Sequence, residues 1–295
     1  MKQTGKFLGC FLPILAALSC QISVSFCFYL GYSAYVAFEL LKLDITDPAE
    51  QSTYIAEHMY SADMIMLITA VATIGTLIIG VLWYRNHTSA EDFKWKEIIK
   101  NGKLLLAMAC LGLSLQLLVS MCLDMLYPIL PQDLTNQYNE LMESLLGGNI
   151  WLSLFVTVIL APLAEEFLFR GVTLKKAQKI MPFLAANVLQ ALLFGIYHMN
   201  LIQGVYAFFL GLILGYTAEY FHSVWAAILL HAFVNGSAEV LSFLPEELTE
   251  SCMGTVCVVL AGVILLFIAV KLYPRAKKEK NITKNEIFSE ISFDE

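Results

Sequence analysis

Glu165 and Glu166 stand side by side in the stretch Ala164-Glu165-Glu166-Phe167-Leu168-Phe169-Arg170, with only apolar residues between them and Arg170. His198 follows in a second apolar stretch, and His231 and Asn235 in a third. Carboxylates and imidazoles exchange protons, while arginine and asparagine donate hydrogen bonds. Ionisable groups are costly inside a bilayer and usually face an internal cavity, so each is a functional candidate. Such groups on three neighbouring hydrophobic segments look like an active site.

Helical spacing divides the labour between them. Glu166 and Arg170 are an i, i+4 pair with the acid on the N-terminal side, the favourable order for a helical ion pair. Arg170 is expected to neutralise Glu166, and the pair to serve as scaffold. Glu165 lies about 100° further round the helix and is left available as the reacting carboxylate. His231 and Asn235 are one turn apart on one face, and Phe194 bears the same relation to His198, which sets an aromatic wall beside that imidazole. Glu239 falls one turn past Asn235, close to the same face. It lies near a predicted outer helix end, as does Asp124, and both are expected at the membrane interface.

The elements that must position these residues are membrane spans. The chain of 295 residues is 58% hydrophobic, with mean hydropathy +0.69, too apolar for an ordinary soluble domain. Spanning-length apolar runs occupy about 7–38, 62–83, 104–128, 149–174, 182–199, 203–220, 223–243 and 254–273. With the N-terminus in the cytoplasm, 17 of the 18 Lys and Arg fall on the inner side and only Lys42 outside, as the positive-inside rule requires. The expected fold is therefore all-α: a polytopic bundle of about eight transmembrane helices with both termini cytoplasmic. Residues 1–275 read as one transmembrane domain with a motif-bearing core over 149–243, and 276–295 as a polar cytoplasmic tail.

Depths along these helices can be compared. Glu165 precedes Lys175 at the inner boundary by ten residues, hence about 15 Å at 1.5 Å per residue. His231 and Asn235 lie about 12 and 18 Å beyond Ser223 on the same arithmetic. His198 fits less well, at about 24 Å beyond Pro182 on a straight perpendicular helix. A tilted helix, or one that starts below the membrane surface, would bring it level.

The net charge of −7 is no nucleic-acid signal, since the acidic surplus lies in predicted outer loops such as 39–57. The lipid bilayer is the partner that composition implies, with the basic tail against anionic inner-leaflet lipid. Seven cysteines without CxxC spacing suggest neither a disulfide framework nor a zinc knuckle, and read as packing residues. The segment 84–103, with Trp95 and several lysines, reads as an amphipathic connector on the inner surface. Gly204, Gly211 and Gly215 have the spacing of close helix packing.

In order, Glu165-Glu166-x-x-x-Arg170, Phe194-x-x-x-His198 and His231-x-x-x-Asn235 resemble the three signature motifs of the CPBP intramembrane proteases, also called the Abi family. That family contains the type II CAAX prenyl endopeptidases and bacterial bacteriocin-processing or self-immunity proteins. The motifs lie within about residues 149–243. The resemblance implies an endopeptidase of the cell membrane that hydrolyses a peptide bond in a membrane-associated peptide or protein. Its catalytic residues are implied to be Glu165, His198, His231 and Asn235, supported by Glu166, Arg170 and Phe194. Glu165 would act as general base to a water, which His198 would orient, and Asn235 with His231 would donate hydrogen bonds to the oxyanion.

An alternative assigns Glu165, His198 and His231 to a zinc ion, since two His and one Glu form a known catalytic set. The His-Glu-x-x-His pattern is absent, so the sequence does not compel a metal, and zinc stays open beside glutamate-activated water. Two other functions remain in competition: a non-catalytic membrane scaffold, regulator or bacteriocin immunity protein on the same fold, and an ion-coupled transporter. The absence of an inverted repeat speaks against the last. Substrate identity and oligomeric state are not legible.

Overall fold

In the computed structural model, residues 2–86, 95–243 and 252–272 are described. They contain helices and no strands. A short helix, Lys2–Leu8, precedes α1 (Leu12–Lys42). There follow α2 (Pro48–Met59), α3 (Ala62–Arg85), α4 (Gly102–Leu126), α5 (Gln132–Leu146) and the continuous helix α6 (Ile150–Gln178). Then come α7 (Phe183–Tyr197), α8 (Leu201–Tyr220), α9 (Val224–Leu241) and α10 (Cys252–Leu272).

Of the eight expected spans, six are described helices long and apolar enough to cross a membrane, while α7 and the 256–272 part of α10 are shorter apolar helices. The protein is an all-α polytopic membrane protein. The basic tail and the proposed tail boundary at 275/276 lie outside the described residues, as does 87–94 of the connector. The rest of that connector includes the helix Trp95–Lys100, whose Trp95 ring lies 6.5 Å from that of Trp225. Arg170 is fully buried, so it is an interior group and not a flanking charge.

The starts of the helices follow local chemistry. Side-chain oxygens of Asp47, Ser61, Asn101, Asn149 and Asn200 accept the otherwise orphaned first N–H groups of α2, α3, α4, α6 and α8. α1 turns residues such as Leu15, Ile22, Phe26 and Phe38 outward, the exposure expected of a lipid-facing helix. Helix α6 is the opposite: every residue from Phe167 to Leu174 is buried, with α3, α7, α8 and α9 around it. α10 lies along α4, where Ser114 Oγ donates to Gly262 O at 2.8 Å.

α6 is not uniformly wound. Phe155–Leu160 and Phe167–Leu174 are π-helical, and the α-helical stretch Ala161–Glu166 between them carries both glutamates. Pro162 accounts for a local defect in the first wide segment. Ala161 N–H bonds to Val156 O, five residues back. The next carbonyl in that pattern, Thr157 O, would require an N–H from Pro162, which has none. Such wide turns are frequent at functional sites.

α7 and α8 form a close hairpin. A Cβ on Gly195 would come within 2.5 Å of Gly204 O, and one on Gly204 within 2.8 Å of Gly195 O, so the two backbones touch. The turn between them is His198-Met199-Asn200. Met199 is left-handed at φ 54°, and Asn200 Oδ1 accepts from Gln203 N at 3.0 Å to start α8.

Candidate functional site

Helix α7 has 15 residues, about 22 Å at 1.5 Å per residue, less than a hydrocarbon core of about 30 Å. It ends on His198. The span expected over 182–199 is thus a short helix and a reversal, and His198 stands where the chain turns back. Its ring meets Phe194 edge-on at 4.8 Å, and Phe194 meets His231 in the same manner at 5.9 Å. His198 is also within electrostatic reach of Glu165 and His231. The four expected catalytic positions lie on two helices, α6 and α9, and on the α7–α8 turn.

Glu166 is the hub. Its Oε1 accepts from Arg170 Nη1 at 2.8 Å and from His231 Nδ1 at 2.8 Å, and all three side chains are buried. The expected i, i+4 pair is present. Its link to His231 was not legible in the spacing. Arg170 continues the network: Nη2 donates to Gly211 O on α8 at 3.0 Å, and the guanidinium lies 4.4 Å over the Phe194 ring. Gln190 Nε2 donates to the same Gly211 carbonyl at 2.9 Å and to Asn187 Oδ1 at 2.7 Å, while Asn187 Nδ2 donates to Leu212 O at 3.0 Å. Gln190 and Asn187 escaped sequence reasoning. The available signal was a pair of amides three residues apart in an apolar helix.

Glu165 differs from its neighbour. Its side chain keeps 13% of its surface exposed where Glu166 keeps none, and its Oε2 lies 3.8 Å from His231 Nε2. That distance suits an ion pair but is too long for a hydrogen bond. Helix α6 therefore sets its two adjacent carboxylates on the two nitrogens of one imidazole, the more accessible on Nε2. Tyr197 also borders the site, within electrostatic reach of Glu165, and its hydroxyl accepts from Gln21 Nε2 on α1 at 2.6 Å.

The partners assign the imidazole tautomers. Phe194 O can only accept, so the Nδ1 of His198, 2.8 Å away, carries the proton. The carboxylate of Glu166 fixes the Nδ1 proton of His231 in the same way. Both rings are thus oriented through Nδ1, which leaves Nε2 as the atom for chemistry.

Asn235 is anchored by the defect in α6. Its Nδ2 donates to Thr157 O at 2.8 Å, the carbonyl that Pro162 leaves without an intrahelical donor. A carboxamide nitrogen has two protons, so one remains for a ligand. Glu239, two residues before the end of α9, is buried within the protein, with 2% exposure. Burial is tolerated because its Oε1 accepts from Ser153 Oγ at 2.7 Å and Thr157 Oγ1 at 2.9 Å. Asp124 is exposed, and Glu219 accepts from Gln178 Nε2 at 2.9 Å.

A zinc centre needs three or four donors closing on one point at about 2 Å. Among the described residues no three His, Cys, Asp or Glu side chains converge as a ligand set. The Nδ1 bonds of His198 and His231 leave each Nε2 free, an orientation that zinc-ligating histidines also adopt, so the ring directions do not decide the matter. Glu165, His198 and His231 are not closed on one point as a ligand set in this structure, and the chemistry below uses side chains alone.

Residues 147–237, about a third of the chain, match the family model for Rce1-like proteins, described as type II CAAX prenyl endopeptidase Rce1-like. The matched segment begins just before α6 and runs through Asn235, so it contains all three motifs. No curated protein and no solved structure matches the chain. Residues 147–237 are thus similar to Rce1-like type II CAAX prenyl endopeptidases and lie within a bundle of apolar helices.

Proposed function

We propose that this chain, with an Rce1-like domain over residues 147–237 as the premise, is an endopeptidase of the cell membrane with both termini cytoplasmic. It hydrolyses a peptide bond of a membrane-associated peptide or protein. The observation that carries the reading is His231 held between two carboxylates, at 2.8 Å from Glu166 and 3.8 Å from Glu165, with His198 beside the same aromatic wall.

Glu165 is the general base. It takes a proton from water as the water oxygen bonds to the scissile carbonyl carbon. It then returns that proton to the amide nitrogen as the C–N bond breaks, so the products differ from the substrate by one water. His198 Nε2 accepts a hydrogen bond from the attacking water and orients it. The spare N–H of Asn235, with His231 Nε2 when that ring carries both protons, donates to the oxygen on which negative charge develops. In that state Glu165, Glu166, Arg170 and His231 sum to zero charge, which an apolar site favours.

The test uses purified full-length protein in liposomes and a quenched fluorescent peptide ending in a farnesylated Cys-aliphatic-aliphatic-X sequence, the modified C-terminus that such motifs carry. The unfarnesylated peptide is the comparison. Cleavage of either, with a product mass showing addition of one water, and its loss in Glu165→Ala and His231→Ala, supports hydrolysis. Cleavage that persists in both variants overturns it. Wild-type protein that leaves both peptides intact while moving protons across the liposome membrane favours a transporter, and intact peptides with no ion movement favour a scaffold.

A further inference from the structure

His231, Asn235 and Glu239 follow one another at steps of four along α9, while Ser153 and Thr157 are spaced likewise on α6. The two rows meet. Ser153 Oγ and Thr157 Oγ1 both donate to Glu239 Oε1, and Thr157 O accepts from Asn235 Nδ2. Glu239 lies two residues beyond the segment matched by the family model and takes no part in the chemistry proposed above.

We propose that Glu239 is a positioning residue for Asn235. The Thr157 carbonyl is free because Pro162 lacks an N–H, and it lies in a π-helical segment. A freed carbonyl in a wide turn has no intrahelical bond to hold its direction. Glu239 supplies that hold by gripping the hydroxyls of Ser153 and Thr157, one turn apart, and so fixes the Thr157 backbone against α9. Asn235 then commits one N–H to Thr157 O and keeps the other directed to the site. Each hydroxyl also has a backbone carbonyl in range, Leu145 O for Ser153 and Ser153 O for Thr157, both at 2.8 Å. Without an acceptor at position 239 the hydroxyls turn to those carbonyls, and the tie between the helices is lost.

The catalytic consequence rests on the hydrolase reading, but the positioning can be tested without turnover. In protein labelled with ¹⁵N-asparagine and held in lipid nanodiscs, the Asn235 side-chain amide signal is assigned by its loss in Asn235→Ala. It is expected to exchange slowly with solvent in wild type and in Glu239→Gln, whose amide oxygen still accepts from both hydroxyls, and at least about tenfold faster in Glu239→Leu. On the farnesylated peptide, Glu239→Leu is expected to lower kcat about tenfold or more with KM within about twofold, Glu239→Gln to restore kcat, and Glu239→Leu to have no further effect in an Asn235→Ala background. Should Glu239→Leu fail to fold, Thr157→Val takes its place, with Thr157→Ser as the rescue. Unchanged amide exchange in Glu239→Leu or Thr157→Val overturns the proposal, as does equal loss in Glu239→Gln. The expected exchange pattern in a protein that cleaves neither peptide upholds the positioning and sinks the hydrolase reading instead.

Discussion

His231 Nδ1 lies 2.8 Å from Glu166 Oε1, and that contact joins α9 to the Glu166–Arg170 pair of α6. Adjacent residues of one helix thereby play different parts. Glu166 is fully buried, with its Oε1 shared by a guanidinium and an imidazole; Glu165 is partly exposed and faces the opposite nitrogen of the same ring.

The Glu166–Arg170 pair is expected to matter to folding before it matters to catalysis. Removing one partner of a buried pair leaves an uncompensated charge, at a cost of about 3–5 kcal/mol. Arg170→Met should therefore lower the unfolding midpoint sharply in detergent. Glu166→Gln/Arg170→Met should recover part of that loss because it removes both charges. Equal midpoints for the single and double variants would speak against the pair as a stability element.

His198 should act through Nε2, since Nδ1 is occupied by Phe194 O. Glutamine places its terminal amide near the position of Nε2, and asparagine near that of Nδ1. His198→Gln is thus expected to retain about tenfold more activity than His198→Asn, a difference of about 1.4 kcal/mol in transition-state stabilisation. Steady-state turnover of the farnesylated peptide measures it, and the reverse order would reassign the working nitrogen.

The α7–α8 hairpin should tolerate no side chain at its crossing. A Cβ at Gly195 meets the Gly204 carbonyl at 2.5 Å, and both atoms belong to backbones that must shift together. Gly195→Ala is expected to lower both the unfolding midpoint and kcat, because the turn carrying His198 moves with the hairpin. Wild-type kcat in Gly195→Ala would show that His198 is held independently of that contact.

Removal of metal should leave turnover unchanged. The expectation comes from the donors, since among the described residues no three His, Cys, Asp or Glu side chains close on one point. Dialysis against a chelator followed by the peptide assay checks it. Activity lost on chelation and restored by zinc would mean that the side chains rearrange around an ion.

Much of this architecture is legible in the sequence, and the exceptions share one cause. The run lengths and the one-sided basic residues identify a polytopic bundle, and the i, i+4 spacing of Glu166 and Arg170 identifies their pairing, because each depends on regular local geometry. Counting along α9 places Glu239 near the helix end but does not see Ser153 and Thr157 arriving from α6 to bury it. His198 ends the short helix α7 where the chain reverses at Met199, and counting along one helix does not show its ring meeting Phe194 beside His231. The bond from Glu166 to His231 joins residues 65 apart in the chain and depends on how α6 is wound between its two π-helical segments. Pro162 was the sequence signal for the freed Thr157 carbonyl, but its partner Asn235 is named only by the packing.

The division of labour between the two glutamates is the centre of the account, and single-turnover cleavage of the farnesylated peptide by Glu165→Gln tests it most directly. Glutamine keeps the size of the side chain and removes its capacity as a base. The expected result is peptide binding within about twofold of wild type and a cleavage rate reduced about 10²–10⁴-fold, the contribution typical of general base catalysis. Cleavage by Glu165→Gln within about threefold of the wild-type rate would contradict the assignment of Glu165 as the base.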